Sequence, residues 1–452
     1  MDIQCFKNRL FEAARAAGFE SFELYAPSTE SFRVKVFGGE IEEFKNSYSG
    51  GAAFRGVYGG RMGYASSERI AEDTVEYLLE QAKANAAVIE DDDNEPLAPG
   101  GGTYPAVNTF SPSLREFGTA EKCALAKRIE AAAPEYDSRV VSADVTVLGS
   151  FEGEIVIANS RGLDVSHRSN GAFAGLMVRV SQDGGEPKVG FESWAGGCLS
   201  GFRPEELAAK AVEKGLAQLG ARKASTGIVP VVFNNETAAD IFAVFSPVFF
   251  AESVQKGFSL LGGKLGQEVA SGVLTLRDDG YIDGVVGSRP FDAEGVASVN
   301  KAVIEQGVLK TFLHNLKMAE KDGTASTGNA SKRGLTGAVA TGCGIFTVQP
   351  SGTSFGELLA MADAGILITK LDGLHAGVNA VTGDFSLSAS GFEIRGGKVA
   401  APVDQMVVSG NFYEMLGSIV CVGSDFRFDT PGGDGVFGAP SVYAGSLSIS
   451  GV

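Results

Sequence analysis

Glycine constrains this chain more than any other residue. It occupies 61 of 452 positions, roughly twice its usual share, and the glycines are scattered rather than periodic. Scatter excludes a collagen-like repeat and a low-complexity tract. It fits short strands joined by many tight turns, where positive φ is needed.

The apolar spacing supports that reading. Asp2 can cap a helix that carries Phe6, Leu10, Phe11 and Ala14 at helical intervals up to Gly18. Strand-like runs follow, "FELYAP", "FRVKVFGG", "EIEEFKNS", "GAAFRGVYGG" and "RMGYAS", and then a helix within "RIAEDTVEYLLEQAKANAAV". The order then repeats: a helix "TAEKCALAKRIEAAA", strand runs, and a helix "PEELAAKAVEKGLAQL". "GGAAFRGVYG" and "NGAFAGLMVRV" are alike, which suggests a diverged duplication. Between the two blocks, "EDDDNEPLAPGGGTYP" collects acid, Pro and Gly without apolar period, as a linker or exposed loop does.

From about residue 227 the chain reads as mostly β, with helical patches at 235–251, 315–321 and 355–362. The fold class is therefore α+β. An N-terminal subdomain is expected over 1–90, a linker over 91–115 and a second α+β subdomain over 116–225. A β-rich domain with mainly antiparallel sheet should fill 226–452.

Charge and cysteine content narrow the function. The net charge of −17 repels phosphate backbones, and no Lys/Arg stripe offsets it, so direct nucleic-acid binding is not expected. Five dispersed cysteines without a CxxC pair suit a reducing compartment. The N-terminus lacks a signal-peptide core. The run "IFAVFSPVFFA" is too short for a bilayer, which needs roughly 20 residues. A cytoplasmic protein is expected.

Few residues can carry chemistry. The three histidines, His167, His314 and His375, are far apart. His167 reads as a surface residue, His314 as polar packing, and His375, in a Gly-rich segment, as the better functional candidate. The G-x-S-x-G string "GTSFG" (352–356) lacks the strand-turn-helix setting of a nucleophile elbow, and there is no phosphate loop and no dinucleotide fingerprint. What remains is "FNNETAADIF" (233–242) and four polar, glycine-rich strings: "DDGYIDGVVGSRPFDAEG", "TASTGNASKRG", "GLHAGVNAVTGDFSLSASG" and "VSGNFYEML". Taken singly, each of the four reads as a plain hairpin turn.

Together and in this order, these strings resemble the TldD/PmbA family, also described as modulators of DNA gyrase. The carriers are "GKLGQEVAS", "FDAEGV" with "IEQGVLKTFLHNL", "STGNA", "GVNAVTGDFSLSASGFEI" and "SGNFYEMLGSIVCVGSD". "VTGDFS" and the lack of paired histidines resemble the PmbA (TldE) branch. The resemblance implies a metallopeptidase that acts on unfolded peptides, in which a TldD-type chain holds zinc through H-E-x-x-x-H and a later Cys. Those histidines fall on Asn235 and Asp240, the Glu falls on Glu236, and the Cys falls near Thr430–Gly433, where none occurs. An Asn amide is a poor zinc ligand, and one Asp cannot replace two imidazoles.

The expectation is thus a non-metal-binding PmbA/TldE-type subunit, inactive alone, with zinc in a TldD-like partner. It would form a heterodimer with that partner, or a homodimer, around an extended peptide. The peptide-binding candidates are Thr327, Gly328, Asn329, His375, Asn379, Thr382, Gly383, Asp384 and Ser386. Two alternatives stand beside it. One is a stand-alone metallopeptidase drawing metal from Glu236, Asp240 and His375 or His314. The other is a protein-binding modulator of gyrase. The plainest role for the opening stretch is a helix start, with Asn234 or Asn235 as cap.

Overall fold

The computed structural model describes residues 1–89, 96–429 and 435–451. It is α+β, with sheets mostly antiparallel. In the N-terminal half, helix α1 (Ile3–Ala16) is followed by β1 (Ser21–Phe37), β2 (Glu40–Gly50), β3 (Ala52–Tyr58), β4 (Arg61–Ser67) and α2 (Glu72–Val88). Then come α3 (Thr119–Tyr136), β5 (Val140–Asn159), β6 (Asp164–Val180), β7 (Lys188–Gly196) and α4 (Pro204–Ala217). Asp2 caps α1 by accepting the Cys5 N–H at 3.0 Å, and Phe6, Leu10 and Ala14 form its buried face.

These strands do not make two sheets. They form one sheet in the order β4-β3-β1-β5-β6-β7, with β2 also pairing with β1. Strands β1 and β5 run side by side from Glu23–Asn159 to Val36–Thr146. The two expected N-terminal subdomains therefore share a sheet. "FELYAP" and "FRVKVFGG", read as two strands, are one, because the polar residues between them are paired on both edges.

The expected repetition is visible in the packing. Order is symmetric about the β1–β5 seam, with α2 lying against β4 and α4 against β7. In both places a glycine admits the helix backbone. A Cβ on Gly63 would stand 1.9 Å from the Ala82 carbonyl oxygen, and one on Gly190 would stand 1.9 Å from that of Ala211. Each half needs the same small residue at the same helix–strand contact.

The expected linker is not free. Leu97 and Ala98 are buried, the Asn159 amide donates to the Ala98 carbonyl at 2.9 Å, and Tyr104 donates to the Gly295 carbonyl at 2.9 Å. Residues 97–110 thus strap the N-terminal sheet to the C-terminal half. Composition signals acid, Pro and Gly but misses two apolar anchors.

In the C-terminal half, strand Val442–Gly451 pairs on one side with Gly227–Phe233 and on the other with Lys398–Asn411. Strands Ala364–Asp372 and Asp384–Arg395 complete the ring, so five strands close into a barrel. A second sheet is built around Leu276–Asp279, Ile345–Val348 and Val436–Ala439. Helix α5 (Asn235–Phe245) lies between barrel and sheet. Its residues Ala238, Ala239, Ile241, Phe242 and Phe245 enter the largest core cluster. Each large side chain buried there contributes about 1.5–3 kcal/mol. The helical patches expected at 315–321 and 355–362 are helices Leu316–Lys321 and Phe355–Ala362. Helix Phe412–Ser418, which starts inside "GNFYEML" and runs two residues past it, has no counterpart among the expected helical patches.

Among the described residues, no helix is long and apolar enough to cross a membrane.

Candidate functional site

The N-terminal end of α5 gathers more charge than any other part of the helix. Asn234 caps it, its side-chain oxygen accepting the Thr237 N–H at 3.0 Å and the Thr237 hydroxyl at 2.7 Å. Asn235, half-buried, donates its amide to the Asp425 carbonyl at 2.8 Å. The expected role of Asn234 as cap is what the helix uses.

Glu236 lies between two cations. Lys214 of α4 reaches it at 2.6 Å, and Arg427, on the short strand Arg427–Phe428, reaches it at 2.7 Å. The same two cations also bind Glu192 of β7, Lys214 at 3.0 Å and Arg427 through its guanidinium. Glu192 is only 3% exposed. Burial alone would push its carboxyl up, but the Arg427 hydrogen bond and the charges of Lys214 and Arg427 outweigh burial and hold it below the ordinary Glu range. The four side chains form a closed alternation of acid and base that ties the N-terminal sheet to α5.

Asp240 lies one turn further along. Its carboxyl is pushed up to about 7, first by burial and then by the charges of Asp429 and Glu236. Among the described residues, α5 contains no π turn. Side chains five apart on a regular helix stand roughly 140° apart about the axis, so positions 235 and 240 do not converge.

Among the described residues, the donors at this end of α5 do not fit a zinc ion. Asn235 spends its amide on a backbone carbonyl, both cations already hold Glu236, and Asp240 keeps its proton well into the neutral range. Zinc needs three or four lone-pair donors converging at about 2.0–2.3 Å, and here a lysine and an arginine already hold Glu236. The position aligned with the late Cys lies outside the described residues.

The other expected residues are divided between two places. In the first, Thr327, Gly328 and Asn329 brace the interior. The Thr327 hydroxyl accepts the His314 N–H at 2.7 Å and donates to Asn329 at 2.7 Å; Asn329 in turn donates to Asp278 at 2.7 Å and to the Gly342 carbonyl at 2.9 Å. Asn329 is wholly buried, so it does not line a cleft. Gly328 has φ +71, and a Cβ there would meet the Ala297 carbonyl at 2.8 Å, a close approach that explains the small residue.

In the second, His375, Asn379, Thr382, Asp384 and Ser386 are exposed, and Gly383 lies beneath them against the Tyr413 ring. Asn379 accepts the Val381 and Thr382 N–H groups, while Asn411 donates to the Thr382 carbonyl and to Asp384. The Tyr413 hydroxyl accepts the Leu260 N–H at 3.2 Å and donates to the Ala380 carbonyl at 3.3 Å. That joins this loop to a second one with exposed Phe258 and Leu260. Below, Phe412 stacks on Phe245 at the far end of α5. The loop is thus linked, through Phe412, to the end of α5 opposite Glu236, in a helix of 11 residues that is roughly 16 Å long.

The remaining histidines are structural. Both His314 ring nitrogens are engaged, with the Phe312 carbonyl and with Asp322, each at 3.0 Å. His167, expected at the surface, is half-buried against Phe291 and pairs with the Thr109 hydroxyl at 2.9 Å. Burial lowers its pKa. His375 and His314 do not meet at Glu236. Sequence reasoning missed Glu192, Lys214 and Arg427, which come from three distant segments and have no local pattern to mark them.

Three family profiles cover most of the chain: PmbA/TldA metallopeptidase domain 1 over residues 22–86, the central domain over 112–219 and the C-terminal domain over 226–451. The chain belongs to the PmbA/TldD family. It is 28% identical to the metalloprotease PmbA of Escherichia coli O157:H7 over 412 residues, 90% of this chain and 88% of that one. A Thermotoga maritima crystal structure, described as a proposed modulator of a DNA gyrase, superposes with TM-score 0.90 at 30% identity. It covers 99% of this chain and 100% of that one. TldE of Thermococcus kodakarensis has the same fold, with TM-score 0.90 at 23% identity and coverage of 99% and 100%.

Proposed function

We propose that this chain is the metal-free, PmbA/TldE-type subunit of a zinc peptidase, and that a TldD-like partner supplies the metal. One observation carries the reading: Glu236, the counterpart of the family's catalytic glutamate, is ion-paired with Lys214 and Arg427 of its own chain. A general base in a zinc site works on metal-bound water, whereas this carboxylate is already engaged by a lysine and an arginine. The exposed loop at 375–386, beside Phe258 and Leu260, supports a role in holding peptide. Its side chains offer polar contacts next to apolar surface, which suits an extended chain of varied sequence.

The test is peptide cleavage by this chain alone, by a TldD-like chain carrying H-E-x-x-x-H, and by the mixture. The expected result is activity in the mixture above that of the partner alone, chelator-sensitive and unchanged when this chain carries Glu236→Gln. Chelator-sensitive cleavage by this chain alone, abolished by Glu236→Gln, overturns the reading.

A further inference from the structure

Where α3 begins, the short turn Pro112–Glu116, the first turn of the helix and the face of the N-terminal sheet line a cavity of about 660 Å³. Strand register sets its floor. Glu30 and Phe32 of β1 are two residues apart and so share a face. Across the β1–β5 seam, Phe32 lies opposite Ser150 and Glu30 opposite Glu152. Leu114, Phe117 and Lys122 line the cavity from the helical side.

The charges in this lining do not balance one another. Glu152 is satisfied, accepting from Arg115 at 2.8 Å and from Arg168 at 2.9 Å. Lys122 is not. Its ammonium donates to the Ser150 hydroxyl at 2.9 Å and lies 5.2 Å from the centre of the Phe32 ring, and among the described residues no carboxylate pairs with it. The side chain is half-buried, and burial lowers its pKa with no acid to oppose it. Glu30 is the converse case. It is exposed, no cation pairs with it among the described residues, and it faces Glu152, like charge against like. A partly desolvated cation without an anion and an acid set opposite an acid both cost stability.

We propose that this cavity binds a small zwitterion, a free α-amino acid or a dipeptide, with its carboxylate on Lys122 and its ammonium on Glu30. The lysine has three donors; the Ser150 hydroxyl and the ring face use two, which leaves one for a carboxylate oxygen. Phe32, beneath the lysine, and Glu30 are roughly 7 Å apart along β1, a span that the two termini of so small a molecule can bridge. A phosphate would carry negative charge towards Glu30 and Glu152, and a simple amine would leave Lys122 without an anion. Leu114 and Phe117 in the lining suit an apolar side chain. The cavity shares no residue with the cluster around Glu236, so this binding holds or fails independently of the role given to Glu236.

Calorimetric titration of the full chain at neutral pH is the test, with L-leucine, leucyl-leucine and N-acetyl-leucine as probes. Saturable binding of at least one of the two zwitterions is expected, and which one binds distinguishes the free amino acid from the dipeptide. N-acetyl-leucine keeps the carboxylate but not the ammonium and should bind roughly 10-fold more weakly or worse. Lys122→Met and Glu30→Gln should each weaken the zwitterion by roughly 10- to 100-fold. Thermal unfolding checks that each variant is folded. Glu30 is exposed, so Glu30→Gln keeps the test decisive should Lys122→Met fail to fold. Absence of saturable binding by both zwitterions overturns the proposal. So do binding of N-acetyl-leucine as tight as that of leucine and binding indifferent to Glu30→Gln.

Discussion

The two ends of α5 are held by opposite kinds of force. At the C-terminal end, Phe245 stacks on Phe412 at 4.4 Å, with Phe242 and Phe249 edge-on to the same ring. At the N-terminal end, Glu236 and Glu192 alternate with Lys214 and Arg427. The aromatic end needs only close packing and tolerates no gap. The charged end needs every partner present, because a buried acid without its cation is costly. One helix thus has an end that fixes it in the core and an end that joins it to the N-terminal sheet.

Breaking the aromatic end should have the largest effect. Phe412→Ala empties a fully buried site and is expected to cost about 3–5 kcal/mol in denaturant unfolding. Arg427→Ala leaves Glu192 with Lys214 alone. Because Arg427 is 32% exposed, the loss should be about 2 kcal/mol, below the range for fully buried pairs. Replacing both members, Arg427→Met with Glu192→Leu, should recover part of it.

The pH dependence separates the ends further. The Asp240 carboxyl titrates at about 7, against an ordinary value of 3.8. The folded state binds its proton more tightly than the unfolded state, so stability is full below the ordinary value and falls as pH rises towards 7. Asp240→Asn should therefore raise the melting temperature at pH 8 and change it little at pH 4, whereas Phe412→Ala should lower it equally at both. The smallest effect is expected from the cap: Asn234→Ala should cost about 1 kcal/mol.

The comparison also explains what was legible in the sequence. The aromatic end comes from two apolar runs, "IFAVFSPVFF" and "NFYEML", and the cap from "FNNET", so α5 and its start could be read locally. The charged end could not. Glu192, Lys214 and Arg427 meet Glu236 only after a strand, a helix and a distant loop have docked, and no spacing rule reaches that far. The same limit misplaced Asn329, whose polar, glycine-rich setting matches a binding loop although its amide braces Asp278. The loop around Asn379, also expected to line a cleft, is exposed, and its turn residues act on their own backbone.

Zinc binding by the purified chain tests the central claim most directly. After loading with zinc and desalting at neutral pH, the chain is expected to retain no stoichiometric metal, and Lys214 and Arg427 to remain the counterions of Glu236. One zinc per chain, retained through desalting and lost in Glu236→Gln, would contradict it.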